Sequence, residues 1–101
     1  IEAFSAINDA INAKPKSVFT YEYLLAACEG SDPRILNYVY YQAMENVTDN
    51  AFLLCQYGEF LEEMDQYEAA REVFRKAYDI TPTDDLARSV IRVGMRGWGE
   101  E

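Results

Sequence analysis

Apolar residues recur along this chain at steps of three and four, the spacing of one face of an α-helix, and no sustained strand-type alternation is present. The pattern predicts five helices and a sixth helical segment from about Asp84 to Arg96. Their apolar stripes are Ala3, Phe4, Ile7, Ala10 and Ile11; Tyr21, Leu24, Leu25 and Cys28; Leu36, Val39, Tyr40, Ala43 and Met44; Leu53, Leu54, Tyr57, Gly58, Leu61 and Met64; Tyr67, Ala70, Val73, Phe74, Ala77 and Tyr78; and Leu86, Val90, Ile91 and Met95. The sequence therefore predicts an all-α fold.

The joints in the first half of the chain carry residues that stop and start helices. Pro15 ends the first helix, and Gly30 ends the second, which is predicted to run from about Val18 to Glu29. Asp32 then supplies a capping side chain for the third helix, and Pro33 lies in the first turn of that helix.

The second half of the chain has similar joints. Thr48 and Asp49 are predicted to cap the fourth helix, and Asp65 followed by Glu68 has the spacing of a capping box for the fifth. Pro82 lies between the fifth helix and the sixth segment, where it stops the helical pattern.

The best-defined helix pair carries large and small residues at fixed spacings: Leu54, Tyr57, Gly58, Leu61, Ala70, Phe74, Ala77 and Pro82. Helix pairs recur at a period of about 34 residues, and this series resembles the signature of the tetratricopeptide repeat family. Leu54 stands in place of its first Trp, and Leu61 in place of its later Tyr. The resemblance implies a right-handed superhelix of antiparallel helix hairpins, an α-solenoid of five to six helices. A residue as small as Gly58 suits such a hairpin, since helices approach closely only where side chains are minimal.

The same pattern is fainter upstream. Ala3, Ile7, Ala10 and Pro15 resemble the second half of one repeat, and a degenerate repeat follows in which Leu25 replaces the small glycine. The predicted organisation is one helical repeat domain over residues 1–96. It comprises a partial repeat (1–16), a degenerate repeat (18–50), the best-matching repeat (51–83) and a capping or next-repeat helix (84–96), with a frayed tail over 97–101.

A related family leaves a second interpretation open. Tyr57 and Phe60, followed by Ala70 and Arg71, also resemble the half-a-TPR (HAT) repeat of RNA-processing scaffolds. That family usually has Trp where this chain has Leu54. The resemblance implies, as an alternative function, a scaffold of an RNA-processing complex in which protein contacts dominate and an arginine stripe touches RNA.

Composition narrows the function classes. The 101 residues are 50% apolar and carry a net charge of −9, which repels phosphate backbones and disfavours nucleic acid as a partner. The sequence contains no His, the commonest general base and transition-metal ligand. We therefore predict that the chain is not an enzyme and takes no cofactor and no metal; an enzyme, the last-ranked hypothesis, would need chemistry from Tyr, Glu or Cys alone.

The two cysteines bear on the compartment. Cys28 and Cys55 are too few for a disulfide framework, and each lies in an apolar helical pattern typical of a free buried thiol. This favours a reducing, intracellular location, either cytoplasmic or nuclear. The sequence has no apolar run long enough to cross a membrane, no signal peptide and no initiator Met, so we interpret it as a piece of a longer protein.

The repeat resemblance implies a concave groove, lined by the first helix of each hairpin, in which partners sit. The positions it assigns to partner binding are Phe19, Glu22, Phe52, Glu59, Glu63, Arg88, Arg92 and Arg96. The three arginines recur every four residues and form one charged stripe, so we predict a peptide partner with apolar and acidic residues. Alternatively, Arg88 and Arg92 pair with Glu59, Glu62 or Glu63 on the preceding first helix, or lie solvated on an end helix.

The predicted function is a protein–protein interaction or scaffold module that binds a peptide or a partner subunit. Its groove does not resemble the carboxylate clamp for chaperone tails, which needs Lys and Asn where this chain has Glu22, Ala26, Cys55 and Glu59. A half repeat at either end leaves apolar surface uncovered, which predicts self-association through the terminal helices or a longer parent chain.

Overall fold

The computed structural model describes residues 2–13, 15–30, 32–47 and 49–99, with side chains from residue 5 to residue 97. These ranges contain six helices and no strand, which confirms the all-α prediction. The helices are α1 (Glu2–Asn12), α2 (Val18–Ala27), α3 (Pro33–Asn46), α4 (Ala51–Glu63), α5 (Tyr67–Ile80) and α6 (Asp84–Gly99).

The chain divides into two compact units, Ile1–Thr48 and Asp49–Glu101. In the first unit, α2 packs against α3, and α1 also contacts α3. Its buried apolar residues are Ile7, Ile11, Tyr21, Leu24, Cys28, Val39 and Ala43. The hydroxyl of Tyr21 donates to the backbone oxygen of Pro15 (2.8 Å) and accepts from the side-chain nitrogen of Asn46 (2.9 Å). The buried Tyr21 side chain thereby links the loop before α2 to the end of α3.

The joint between α2 and α3 forms largely as the sequence predicts. Gly30 has a φ of +83°, a left-handed conformation that is favourable for glycine. The Asp32 carboxylate accepts from the backbone N–H of Arg34, and Pro33 is the first residue of α3. The second helix, however, ends at Ala27, two residues before the predicted end.

In the second unit, α5 packs against both α4 and α6. Its buried residues are Leu53, Leu54, Tyr57, Gly58, Leu61, Ala70, Val73, Phe74, Ala77, Leu86 and Val93. Ala70 and Ala77 have no exposed surface, and Gly58 lies against the ring of Phe74. The small residues of the tetratricopeptide-like pattern are therefore buried where helices come close together.

Two caps of the second unit differ from the prediction. Asn50, rather than Thr48 or Asp49, caps α4, because its side-chain oxygen accepts from the backbone N–H of Leu53 at 2.9 Å. Thr48 itself lies outside the described residues. Asp65 does not begin α5: its φ is +60°, and its backbone N–H donates to the Glu62 oxygen in a turn that ends α4.

The wrong prediction at Asp65 has a physical reason. The backbone N–H of Gln66 donates to the Leu61 oxygen, and this bond together with that of Asp65 forms a Schellman motif. A residue in the left-handed position of that motif cannot adopt the extended conformation of an N-cap. Gln66 therefore becomes the N-cap of α5, without a side-chain hydrogen bond.

The sixth helix buries a different face from the one predicted. Leu86 is buried as predicted, but Val90 is half-buried, Ile91 is 60% exposed and Met95 is 66% exposed, while Val93 is fully buried. Three-and-four spacing fits more than one stripe on this helix, and contact with α5 selects the one through Leu86 and Val93.

The sixth helix is also longer than predicted. It continues through residues 97–99, which the sequence assigned to a frayed tail, while residues 100 and 101 lie outside the described residues. A Cβ on Gly97 would lie 3.1 Å from the Cβ of Tyr67. The missing side chain lets this part of α6 run close to the start of α5.

Helix boundaries repeat along the chain at regular intervals. Asn12, Asn46 and Ile80 end α1, α3 and α5, and the step from each to the next is about 34 residues, the period of the tetratricopeptide repeat. The starts of α2, α4 and α6 are also evenly spaced, at nearly the same interval. The described helices thus alternate between two sets that share one period.

Candidate protein-binding groove

An open groove of about 800 Å³ lies between α4 and α6 in the second unit. It is lined by Cys55, Glu59, Glu62 and Glu63 of α4, Phe74 of α5, Asp85, Leu86, Ser89, Arg92 and Arg96 of α6, and Asp65 and Thr83 of the joints. The lining has an apolar floor and a charged rim. Five carboxylates face two guanidinium groups, so the formal net charge of the lining is −3.

Glu62 joins α4 to α6 across this groove. Its carboxylate accepts two hydrogen bonds from Arg92, at 3.0 Å from Nε and 2.9 Å from Nη2, and one from Arg96 Nη1 at 2.9 Å. The Glu62 side chain is only 12% exposed. Hydrogen bonding from Arg92 is the largest cause that lowers the pKa of Glu62; the bond from Arg96 adds to it, while burial acts in the opposite direction.

Arg96 has a second set of contacts with Tyr67 at the start of α5. Its Nη2 donates to the Tyr67 hydroxyl at 3.0 Å, and its guanidinium carbon lies 4.8 Å from the centre of the ring. The Tyr67 hydroxyl in turn donates to Asp65 Oδ1 at 2.8 Å. Arg92 therefore pairs with Glu62 as the alternative interpretation expects, and Arg96, which lies outside that interpretation, has bonding partners within the protein as well.

Two groove carboxylates are not paired with an arginine in this way. Glu59 and Glu63 are exposed, lie one helical turn apart on α4, and form no ion pair with any described residue. Glu59 acts on Arg92 only through longer-range electrostatic attraction. Glu63 is the last residue of α4, where the negative end of the helix dipole disfavours an anion. A cation bound here would relieve that unfavourable charge.

Four of the residues predicted to bind a partner line this groove: Glu59, Glu63, Arg92 and Arg96. Phe52 is absent from the lining but lies one turn before Cys55 on α4 with 64% of its side chain exposed.

The other predicted residues lie elsewhere. Arg88 is not part of the lining, and its Nη1 is 3.4 Å from Asp85 Oδ1 on the same helix, with both side chains largely exposed. Phe19 and Glu22 lie on α2 in the first unit, where Phe19 is exposed and Glu22 is half-buried.

Sequence reasoning missed Tyr67 and Asp65 as parts of the site. Tyr67 was assigned only to an apolar stripe, and Asp65 only to a cap. The repeat period carries a signal for the pair of Glu62 and Arg96, which are 34 residues apart, but not for Tyr67, which is 29 residues from Arg96. Repeat-spaced charges of opposite sign point to contacts between consecutive first helices.

A second surface lies between α5 and α6 and is mainly apolar. A cavity of about 350 Å³ is lined there by Arg75, Tyr78, Asp79, Ala87, Val90 and Ile91. Self-association through terminal helices, which would use such a surface, stays a prediction.

Burial raises the pKa of both free thiols, Cys28 and Cys55, and Glu59 adds to the effect on Cys55, so neither is an activated thiolate. Within the described ranges, no three His, Cys, Asp or Glu side chains are placed to hold a metal ion. None of the helices described is both long and apolar enough to span a lipid bilayer.

Comparison with protein-family models, curated proteins and solved structures gives no significant match to this chain.

Proposed function

We propose that this protein is a tetratricopeptide-like helical repeat module that binds a protein partner through the groove between α4 and α6. The observation that carries the proposal is the groove itself: an open, charged cleft with apolar residues at its base, beside the exposed ring of Phe52. A cleft of this volume, with a few polar groups that converge on it, suits a short peptide segment.

The repeat architecture is supported by two features. Helix ends recur at intervals of about 34 residues, the length of a tetratricopeptide repeat. Gly58 and Phe74 are in contact, as are the helices that carry them, and Ala70 and Ala77 are fully buried on the same hairpin. Stacked hairpins of this kind create extended binding surfaces rather than reactive centres.

Charge favours protein over RNA as the partner. The groove lining has a net charge of −3 and the chain a net charge of −9, both of which repel a phosphate backbone. The arginines that an RNA would need are already bound to Glu62.

Peptide selection tests the proposal. A random peptide library displayed on phage is selected on the native protein and then on a Ser89→Trp variant, whose indole ring would fill the groove. A Glu72→Trp variant, on an exposed part of α5 outside the lining, is the matched control. We expect enriched peptides to bind the native protein and the control but not Ser89→Trp.

Two results would contradict the proposal. One is the absence of any enriched peptide, and the other is equal binding to the native and Ser89→Trp proteins. A parallel titration with single-stranded RNA tests the HAT-type alternative. RNA binding that weakens steeply as salt rises would favour that alternative.

A further inference from the structure

We infer that the groove takes an extended peptide segment in which two basic residues, separated by one residue, face Glu59 and Glu63. This inference rests on the proposed function, because it names the chemistry of the partner in the same groove. It also reverses the charge that the arginine stripe suggested from the sequence.

The two arginines of the groove already have bonding partners within the protein. Arg92 uses Nε and Nη2 on Glu62, and Arg96 uses Nη1 on Glu62 and Nη2 on Tyr67. An acidic peptide would compete with Glu62 for the two guanidinium groups, and displacing Glu62 would leave a carboxylate that is 12% exposed without its partners. The arginines are therefore poor receptors for a partner's carboxylates.

The charge that remains in the groove is negative. After Glu62 is paired, Glu59 and Glu63 still face the groove without an ion pair among the described residues, and the whole lining is net negative. A basic side chain entering the groove meets attraction from these carboxylates and needs to displace no internal bond. Charge complementarity thus favours a cationic segment.

The distance between Glu59 and Glu63 along α4 determines the spacing of the basic residues that can face them. Residues four apart on a helix are about 6 Å apart along its axis. Side chains two apart on an extended peptide point to the same side and are about 6.6 Å apart. Glu59 and Glu63 therefore match basic residues at positions i and i+2 of an extended segment, whereas adjacent basic residues would point to opposite sides.

Phe52 is an exposed apolar residue on the same helix as the two carboxylates. Phe52 lies seven residues before Glu59 on α4, which is about 10 Å along the helix axis. Because side chains an even number of positions apart on an extended peptide point to the same side, the residue that faces Phe52 lies about four positions from the basic residue that faces Glu59, a span of about 13 Å. A partner of this kind would carry an apolar residue a few positions from its basic pair.

Fluorescence anisotropy with three labelled peptides tests the inference. The probe is Leu-Ser-Gly-Ser-Lys-Ser-Lys-Gly, the charge control replaces both lysines by Glu, and the spacing control is Leu-Ser-Gly-Ser-Lys-Lys-Ser-Gly. We expect the probe to bind about fivefold or more tightly than either control, and to weaken as salt rises.

Variants locate the contact. Glu59→Gln with Glu63→Gln removes two charges from the groove, and Glu72→Gln with Asp79→Asn removes two charges from α5 outside it. All four side chains are exposed, and circular dichroism checks that both double variants stay folded. We expect the first double variant to lose about fivefold or more in affinity for the probe, and the second to change it less than twofold.

The inference is overturned if the acidic control binds as tightly as the probe, or if the groove double variant binds the probe normally. Enrichment of acidic or apolar peptides that Ser89→Trp excludes would overturn this inference alone and leave the proposed function standing. Failure of every peptide in the library would remove both.

Discussion

Gly58 of α4 and Phe74 of α5 are in such close contact that a Cβ atom added to Gly58 would lie 2.8 Å from two carbons of the Phe74 ring. Phe74 is only 1% exposed although it borders the groove, so a shift of its ring away from an added methyl group would disturb the core residues around it. The spacing of the two helices therefore depends on the absence of a side chain at this position.

Replacement of Gly58 by Ala should destabilise the second unit by about 1–3 kcal/mol, because the added methyl group overpacks the core. Gly94→Ala is the matched control. A Cβ there would meet its nearest neighbour, the Arg71 side chain, at 3.5 Å, an ordinary contact. Alanine at Gly94 should raise the free energy of unfolding by up to about 1 kcal/mol, because it favours the helix. Urea denaturation followed by circular dichroism measures both, and equal stability of the two variants would contradict the close packing.

Replacement of Glu62 by Gln should reduce stability at pH 7 by about 1 kcal/mol, because two arginines lose their shared carboxylate. Glu72→Gln, at an exposed position of α5 without an ion pair among the described residues, should change stability much less.

The effect at Glu62 should also depend on pH. The folded-state pKa of Glu62 is lowered from its ordinary value of 4.5, so its contribution is fully present above that pH and is lost as the pH falls through the lowered pKa. The difference in unfolding free energy between native and Glu62→Gln proteins should therefore be constant near neutrality and shrink below pH 4.5. A difference that stays unchanged down to pH 2 would show that the ion pairs contribute nothing.

Replacement of Tyr21 by Phe tests the buried hydroxyl of the first unit. We expect a loss of about 1–2 kcal/mol, because the Pro15 carbonyl loses its bond from Tyr21 and the Asn46 side-chain nitrogen keeps only its bond to the Gln42 oxygen. Tyr41→Phe removes an exposed hydroxyl bonded to Glu45 and should change stability by about 0.5 kcal/mol or less. Thermal or urea unfolding of the two variants makes the comparison, and an equal loss in both would argue against the buried network.

Replacement of Asn50 by Ala tests the corrected cap of α4. Its side-chain oxygen satisfies the backbone N–H of Leu53, so we expect a loss of about 1 kcal/mol. Gln66→Ala, at an N-cap without a side-chain bond, should be nearly neutral. If Asp49→Ala rather than Asn50→Ala destabilised the protein in urea unfolding, the cap assignment would be wrong.

Much of the fold could be predicted from sequence, because local signals decide it. Gly30, Asp32 and Pro33 each act within a few residues of their own position, and the structure places a joint there. The prediction was wrong at Asp65 and along α6, where more than one local arrangement fits the sequence. A backbone turn decides the first case, and packing against α5 decides the second.

The groove could be predicted only in part. The repeat resemblance assigns Glu59, Glu63, Arg92 and Arg96 to groove positions, and these four residues do line one groove. It could not show that Glu62 would take up both arginines, since that depends on distances between helices. This pairing changes the expected partner from acidic to basic.

The helix ends at Asn12, Asn46 and Ile80 are evenly spaced, and we expect this interval to govern how such a chain can change in length. Inserting or removing one whole helix pair would leave each later loop at its usual place between two helices. A small insertion within a helix pair would instead move residues such as Pro82 away from the loop in which they end a helix. Viable length variants of this architecture should therefore differ by whole hairpins.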